Sequence, residues 1–386
     1  MKMKKLTAYL LAAITIFTLT FSMTGCSSNN GSADSTAGSS SASNQKPVKI
    51  GVILYNYTDI QGKEIKSYAS YLEQNFNVKF EYATVGQSED QHISGLENLL
   101  NKGVDAVISG YDTALDNSIK MCEERGVYYG VALGDIQSSY KGNSKYFVGG
   151  LKQFNGDPEK FGETYAEIAN QKGLKHIGVI SFPAFTFVDG TKIADGFKKK
   201  MSQLDPSAEV YDMETFMYTP DLAKAAVTNV FTKHSNVDSI LGLGSGMDMI
   251  YPAIKDSTKP STKILSLGYN DSTMTAIKGG SVVAAGTNNY SQIVANMFAQ
   301  LYDRVNGKSY SDWSLNGTVS YPIVTNEQEV TDFQNYVIPA DKSKGSVTAD
   351  ELKKVMKTFN SNATWKDLNI LTNRSLAEIK AARKAL

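Results

Sequence analysis

The chain alternates between short continuous apolar runs and longer stretches in which apolar residues recur every three or four positions. The clearest run lies in KGVDAVISGYD, Lys102 to Asp112. A helical pattern ends at Lys102-Gly103, Val104 to Ile108 follow, and Ser109-Gly110 close the run. A run of this length, entered from a helix and left through glycine, predicts a buried strand of a parallel sheet. The same pattern returns at Lys233 to Gly244, KHSNVDSILGLG, again with a helix end, again Val-Asp, again a glycine stop. Each copy has a partner run upstream, KIGVI at Lys49 to Ile53 and HIGVI at His176 to Ile180. Each also has one downstream, YGVALGD at Tyr129 to Asp135 and ILSLGYND at Ile264 to Asp271. The matching pairs keep the same order, which predicts one α/β unit used twice and two similar domains facing each other.

Helical spacing fills the intervals: Ile65, Tyr68, Ala69 and Leu72; then Ile93, Leu96, Leu99 and Leu100; then Ala114 to Arg125, with Gly126 placed to end it in the left-handed conformation. In the second half the helices are predicted at Phe161 to Asn170, Ile193 to Leu204, Leu222 to Phe231 and Ile293 to Val305. Further strands are predicted at Val78 to Tyr82, Val210 to Thr215, Val282 to Ala285 and Pro322 to Val324. Tyr146 to Gly150 is read as the start of the crossing between the two units. Strands separated by helices of this length form right-handed βαβ units and a parallel sheet, so the fold class is α/β. The tail carries two capping boxes, Thr348 with Glu351 and Ser375 with Glu378, which predict helices packed on the body.

Composition narrows the function classes. The 386 residues suit two domains rather than one core. Lys+Arg 39 balances Asp+Glu 39, so nothing in the bulk charge points to nucleic acid. Lys2, Lys4 and Lys5 precede an uncharged apolar stretch from Leu6 to Gly25, the pattern of an export signal. It ends in Met23-Thr24-Gly25-Cys26, which resembles the lipobox of bacterial lipoproteins; in that family the matching thiol, here Cys26, carries the lipid and becomes the new N-terminus. An uncleaved membrane anchor is the alternative and gives the same topology. Residues 27–46 are rich in Ser, Gly, Ala and Asn and are expected to be a flexible tether spanning roughly 25 Å. With Cys26 lipidated, Cys122 has no disulfide partner and is expected to be a buried structural thiol.

In open parallel sheets ligands sit beyond the carboxyl ends of the strands. The candidates there are Tyr55, Asn56, Tyr57 and Asp59; Tyr111 and Asp112; Asp135; Phe182 and Phe185; Ser245 and Asp248; Asn270; and Asn288. Aromatic faces with neutral amides and carboxylates suit a small polyhydroxylated ligand, whose apolar face stacks while its hydroxyls are hydrogen-bonded. The strongest expectations fall on Asn270, Asn288, Asp112, Tyr57 and Phe185. Catalytic chemistry has less support. Gly242 to Gly246, GLGSG, lacks the third glycine of a dinucleotide fingerprint. His92, His176 and His234 are not at metal-ligand spacing, so neither a metal nor another cofactor is expected. A carboxylate pair for glycoside hydrolysis, Asp59 with Asp112 or Asp135, remains an alternative without support from spacing.

The motifs KIGVILY, QHISGLENLLNKGVDAVIS, YFVGG, KHIGVIS, DGFKK, NVDSILGLGSGMDM, LSLGYND and AIKGGSVVAAGTNNY, together with their order, resemble the type I periplasmic binding proteins, in particular the sugar-binding components of bacterial ABC importers. The resemblance runs from Val48 to about Val324 and implies two Rossmann-like domains joined by three crossovers that close on ligand. It implies lobes at 47–150 with 287–320 and at 151–286 with 321–340, hinges near Gly149-Gly150, Ala285-Gly286 and Ser320-Tyr321, and a C-terminal helical extension at 341–386. It further implies a monomeric, non-enzymatic receptor on the extracytoplasmic face of the cell membrane, with a sugar-like ligand and an ABC permease and its ATPase as partners. A sensory subunit reporting to a membrane kinase or chemoreceptor is the alternative. Several family anchors are replaced: its ligand-contacting arginine falls at Ile193, its Asn-Asp at Gly244-Ser245, its later aspartate at Asn270 and its glutamine at Asn288.

Overall fold

The structure, a computed structural model, describes residues 46–384 except Gln87, Asp135, residues 137–139 and Phe185. The export signal, Cys26, nearly all of the tether, and the candidates Asp135 and Phe185 therefore lie outside the described residues. The strands are β1 (Val48–Leu54), β2 (Val78–Thr84), β3 (Ala106–Ser109), β4 (Tyr128–Val131), β5 (Phe147–Lys152), β6 (His176–Ser181), β7 (Glu209–Thr215), β8 (Ser239–Gly242), β9 (Lys263–Leu267), β10 (Val282–Gly286), β11 (Asn316–Thr318) and β12 (Ile323–Val324). The helices are α1 (Ile60–Asn75), α2 (Glu89–Asn101), α3 (Leu115–Arg125), α4 (Pro158–Gln171), α5 (Val188–Leu204), α6 (Pro220–Lys233), α7 (Tyr251–Lys255), α8 (Thr273–Lys278), α9 (Tyr290–Val305), α10 (Glu327–Tyr336), α11 (Ala349–Val355), α12 (Trp365–Leu371) and α13 (Leu376–Lys384).

They form two sheets of matching order, β2-β1-β3-β4-β5-β11 and β7-β6-β8-β9-β10-β12. The first is parallel throughout, and the second is parallel except for β12, which runs antiparallel to β10. Helices cover both faces of each sheet, which is why their central strands read as unbroken apolar runs. In lobe 1, α2 and α3 cover one face, around Leu96, Leu99, Ile119 and Cys122, and α1 and α9 the other, around Leu72, Phe298 and Leu301. In lobe 2, α4 and α5 cover one face and α6, α7 and α10 the other.

The repeated Val-Asp motif has one physical job in both lobes. Asp105 accepts the backbone N–H of Lys49 at 2.8 Å, and Asp238 accepts those of Lys175 and His176 at 2.9 and 3.0 Å. Each carboxylate thus satisfies donors where the first strand of its sheet begins, which otherwise have no ladder partner. Gly126 ends α3 with φ of 68°, as the sequence predicts. Among the helix starts, Thr348 and Glu351 exchange both bonds of a capping box, and Ser375 and Glu378 do the same.

The first crossing departs from expectation. Residues 147–152 are the strand β5 of sheet one, so the chain leaves lobe 1 after Lys152 rather than at Gly149-Gly150. Gly149 is required there for another reason: its φ is 95° and a Cβ would lie 2.1 Å from the Leu315 carbonyl, where the approach to β11 passes. The crossing itself holds Phe154 and Asn155 at φ of 54° and 55°, a conformation rare for a bulky residue such as Phe. The other crossings run from Gly286 to Tyr290 and from Thr318 to Ile323. They are tied together: Asn288 Nδ2 donates to Gln153 Oε1 at 2.8 Å, the Tyr321 N–H to Asn155 Oδ1 at 3.1 Å, and Ser320 Oγ to Gln292 Oε1 at 2.6 Å.

Candidate functional site

The carboxyl ends of both sheets open toward one interlobe cleft. From lobe 1, Tyr55 follows β1 and Tyr111 follows β3, and their rings stack with centroids 3.9 Å apart and planes 9° from parallel. Gln61, in the first turn of α1, donates to the Tyr111 hydroxyl at 3.1 Å, and Tyr55 Oη lies 3.1 Å from Thr113 Oγ1. Asp59 is the N-cap of α1, accepting the Gly62 N–H at 2.8 Å, a site where the helix dipole favours a carboxylate. Gly62 has to be glycine, because a Cβ would lie 2.2 Å from the Cα of Tyr57 in the loop that carries these residues.

Lobe 2 supplies a different surface. Phe182, just past β6, packs its ring on Phe216 and Tyr218 at 4.9 and 5.6 Å. Ser245 is held at φ of 48° and opens a π-helical turn, Gly246–Ile250, a local form that concentrates at functional sites. That turn carries Asp248, whose Oδ1 accepts Asn270 Nδ2 at 2.9 Å. Asn270 also donates to the Met247 carbonyl, and its own Oδ1 accepts from Ser272 N–H and Oγ. Asn270 is thus a brace for Asp248. The glycines of GLGSG serve packing: a Cβ on Gly244 would meet the Phe182 ring at 2.9 Å and one on Gly246 would meet Ser266 Oγ at 2.1 Å.

The two surfaces meet. Ile60, at the start of α1, packs against the apolar cores of both lobes, so the lobes are closed on one another at that point. Burial pushes the Asp59 carboxyl above its usual range; the Gly62 N–H pulls it down, and the negative charge of Asp248 in the facing lobe adds to the rise. Tyr218 and Tyr290 feel the same two carboxylates, and burial raises both phenols, Tyr290 to about 12. On the hinge, Asn288 is 7% exposed, and its Oδ1 is buried without a hydrogen-bond partner. Ser181 Oγ, at the end of β6, is in the same condition. Buried acceptors left open are uncommon and call for a partner that the chain does not supply.

Of the sequence candidates, Tyr55, Asp59 and Tyr111 from lobe 1, Phe182, Ser245, Asp248 and Asn270 from lobe 2, and Asn288 from the hinge occupy this region. Asn56 closes a local turn onto Thr58, and Asp112 is exposed. Tyr57 departs from expectation. Its hydroxyl turns inward to the Val52 carbonyl at 2.8 Å, its ring meets Tyr82 edge-on at 5.4 Å, and Lys66 Nζ covers it at 4.5 Å. The half-buried side chain is thus engaged within its own lobe through its hydroxyl, one edge and one face. Ile193, where the resemblance places an arginine, is fully buried between α4 and α5, with its carbonyl 2.0 Å from where a Cβ on Gly162 would sit. The residues that strand ends alone do not reveal are Gln61, Gln153, Tyr218 and Tyr290. The aromatic pair Phe216 and Tyr218 before Pro220 was the available signal for one of them.

Several solved structures share this architecture. One is the sugar ABC transport system substrate-binding protein from Bordetella parapertussis 12822, with TM-score 0.59, 16% identity, and coverage of 74% of this chain and 92% of that one. A solute binding protein of an ABC transporter from Agrobacterium vitis, bound with α-D-tagatopyranose, has TM-score 0.61 and 16% identity over 74% of this chain and 96% of its own. One from Bacillus halodurans C-125 with bound myo-inositol has TM-score 0.60 and 14% identity over 75% and 98%. None of the curated protein sequences matches the chain. At such identities the likeness speaks for the fold, but the sequence profile of the periplasmic binding protein domain matches residues 50–309, well over half of the chain. Two sheets of matching order, three bonded crossings and that match establish that the chain belongs to the periplasmic binding protein family.

Proposed function

We propose that the protein is a lipid-anchored extracytoplasmic receptor that captures a small polyhydroxylated ligand, a sugar or a cyclitol, and presents it to an ABC importer. The observation that carries this reading is the composition of the cleft: a stacked tyrosine pair, two carboxylates from opposite lobes, and a buried Asn288 carbonyl oxygen with no partner. Rings accept the apolar face of a pyranose or cyclitol, while carboxylates and amides take its hydroxyl protons. The sugars and myo-inositol in the structural neighbours favour the same ligand class. Export signal, lipobox-like Cys26 and tether support the location. The role is binding without turnover.

The test is a thermal-shift screen over aldoses, ketoses and inositols, since a ligand that binds only the native state raises its stability by RT ln(1 + [L]/Kd). The hit is then titrated into Asn288→Ala and Tyr111→Ala. Each should lose about 1–3 kcal/mol, or roughly five- to 150-fold in affinity. Wild-type affinity in both folded variants would move the site elsewhere, and chemical change of the recovered ligand would make the protein an enzyme.

A further inference from the structure

The family match ends at residue 309, and the chain beyond it does something the matched part does not. After β12, α10 lies on the core of lobe 2 through Val330, Phe333 and Val337. The chain then crosses back to lobe 1, where Lys342 Nζ pairs with Glu64 of α1 at 2.6 Å, both groups largely buried. Leu352 of α11 and Trp365, Leu368 and Leu371 of α12 join the core of lobe 1. Residues 372–375 then lead into α13, which returns to lobe 2: Ile379 is fully buried in that lobe's core, and Lys380 pairs with Asp332 of α10. Two crossings are therefore added to the three of the hinge, and α13 holds both lobes at once.

Its two attachments differ in kind. Toward lobe 1, Arg383 and Arg374 both reach Glu351 of α11, Arg383 Nε donates to the Gly345 carbonyl at 2.7 Å, and Arg374 Nη1 meets Glu351 Oε1 at 2.9 Å. Breaking such a buried charge cluster leaves uncompensated charge, which is costly. Toward lobe 2 the attachment is apolar at its centre: Ile379 is buried in that lobe's core and Leu376 packs against it. A crevice of about 640 Å³ lies beside α13 at the hinge crossings, lined by Asn155, Tyr321, Ile323, Asp332, Leu376 and Lys380. Ile379 is the one fully buried side chain of α13, and the Lys380 ammonium is part-exposed.

We propose that α13 is a latch: it ties lobe 1, through the Glu351 cluster, to lobe 2, through Ile379 and Lys380, and so biases the hinge toward the closed state. The lobes of this structure meet at Ile60 while the latch is docked, so both contacts belong to one arrangement. Rotation of one lobe away from the other cannot keep both attachments of α13, so opening has to break one of them. Both lobes are rigid αβα bodies, so the motion is concentrated at the crossings.

The test needs no ligand and is separate from the identity of the cleft's occupant. Dyes placed at exposed Glu123 on α3 and Lys224 on α6, each replaced by cysteine in a full chain carrying Cys26→Ser, report lobe separation by single-molecule energy transfer; native Cys122 is buried. Ile379→Ala should lower the closed-to-open ratio by about tenfold or more. Lys380→Ala should lower it about two- to fivefold, and Lys199→Ala, at an exposed position of α5, should leave it unchanged. An unchanged distribution in Lys380→Ala and in folded Ile379→Ala overturns the proposal, as does a shift toward closure.

Discussion

Replacing Glu351 by Gln tests the charge cluster at the base of the extension. The carboxylate receives Arg374, Arg383 and the Thr348 N–H together. Burial opposes its ionisation, but those donors outweigh burial and hold its pKa down at about 2, against an ordinary 4.5. A carboxyl depressed in the folded state stabilises the fold above its unfolded pKa, and that contribution disappears as pH falls from about 4.5 toward 2. The shift corresponds to roughly 3 kcal/mol, reduced to about 2 kcal/mol by solvent screening of a partly exposed group. Glu351→Gln also leaves two guanidinium groups facing a neutral amide, so a loss of about 2–3 kcal/mol at pH 7 is expected. With an unfolding entropy of about 2 cal/mol/K per residue over roughly 340 residues, this lowers Tm by about 3–4 °C in a cooperative transition. Calorimetry or urea unfolding of both proteins between pH 7 and pH 2.5 measures the difference. It should narrow as pH falls below about 4.5, because wild-type Glu351 is then being protonated. A difference that stays constant across that range, or no difference at pH 7, refutes the assignment of the low pKa to this cluster.

Two further outcomes are expected. Burial pushes the Cys122 thiol up to about 12, so a disulfide reagent should fail to modify it in the native protein at pH 8 and react fully once denaturant unfolds lobe 1; rapid native-state labelling at Cys122 would contradict the packed environment. Cys26→Ser should release the protein from membranes and abolish incorporation of labelled fatty acid, and equal labelling in the variant would end the lipoprotein proposal.

The sequence by itself determined whatever rests on short-range physics. Unbroken apolar runs marked the central strands because both faces of each sheet are covered, and the repeated Val-Asp motif marked the doubling of the lobe because Asp105 and Asp238 cap equivalent strand starts. Gly126, Thr348 with Glu351, and Ser375 with Glu378 were legible because their partners lie within four residues. What the tertiary structure alone decided involves partners far along the chain. Tyr57 looks like a cleft aromatic until the Ala83 and Val52 carbonyls and the Tyr82 ring claim it, and Gln61 looks like a surface amide until Tyr111 stands beside it. The amphipathic pattern of α13 says that one face is buried, not against which lobe, since an apolar stripe carries no address. Only the meeting of Ile379 with the lobe 2 core and of Arg383 with Glu351 shows that the last helix spans the hinge.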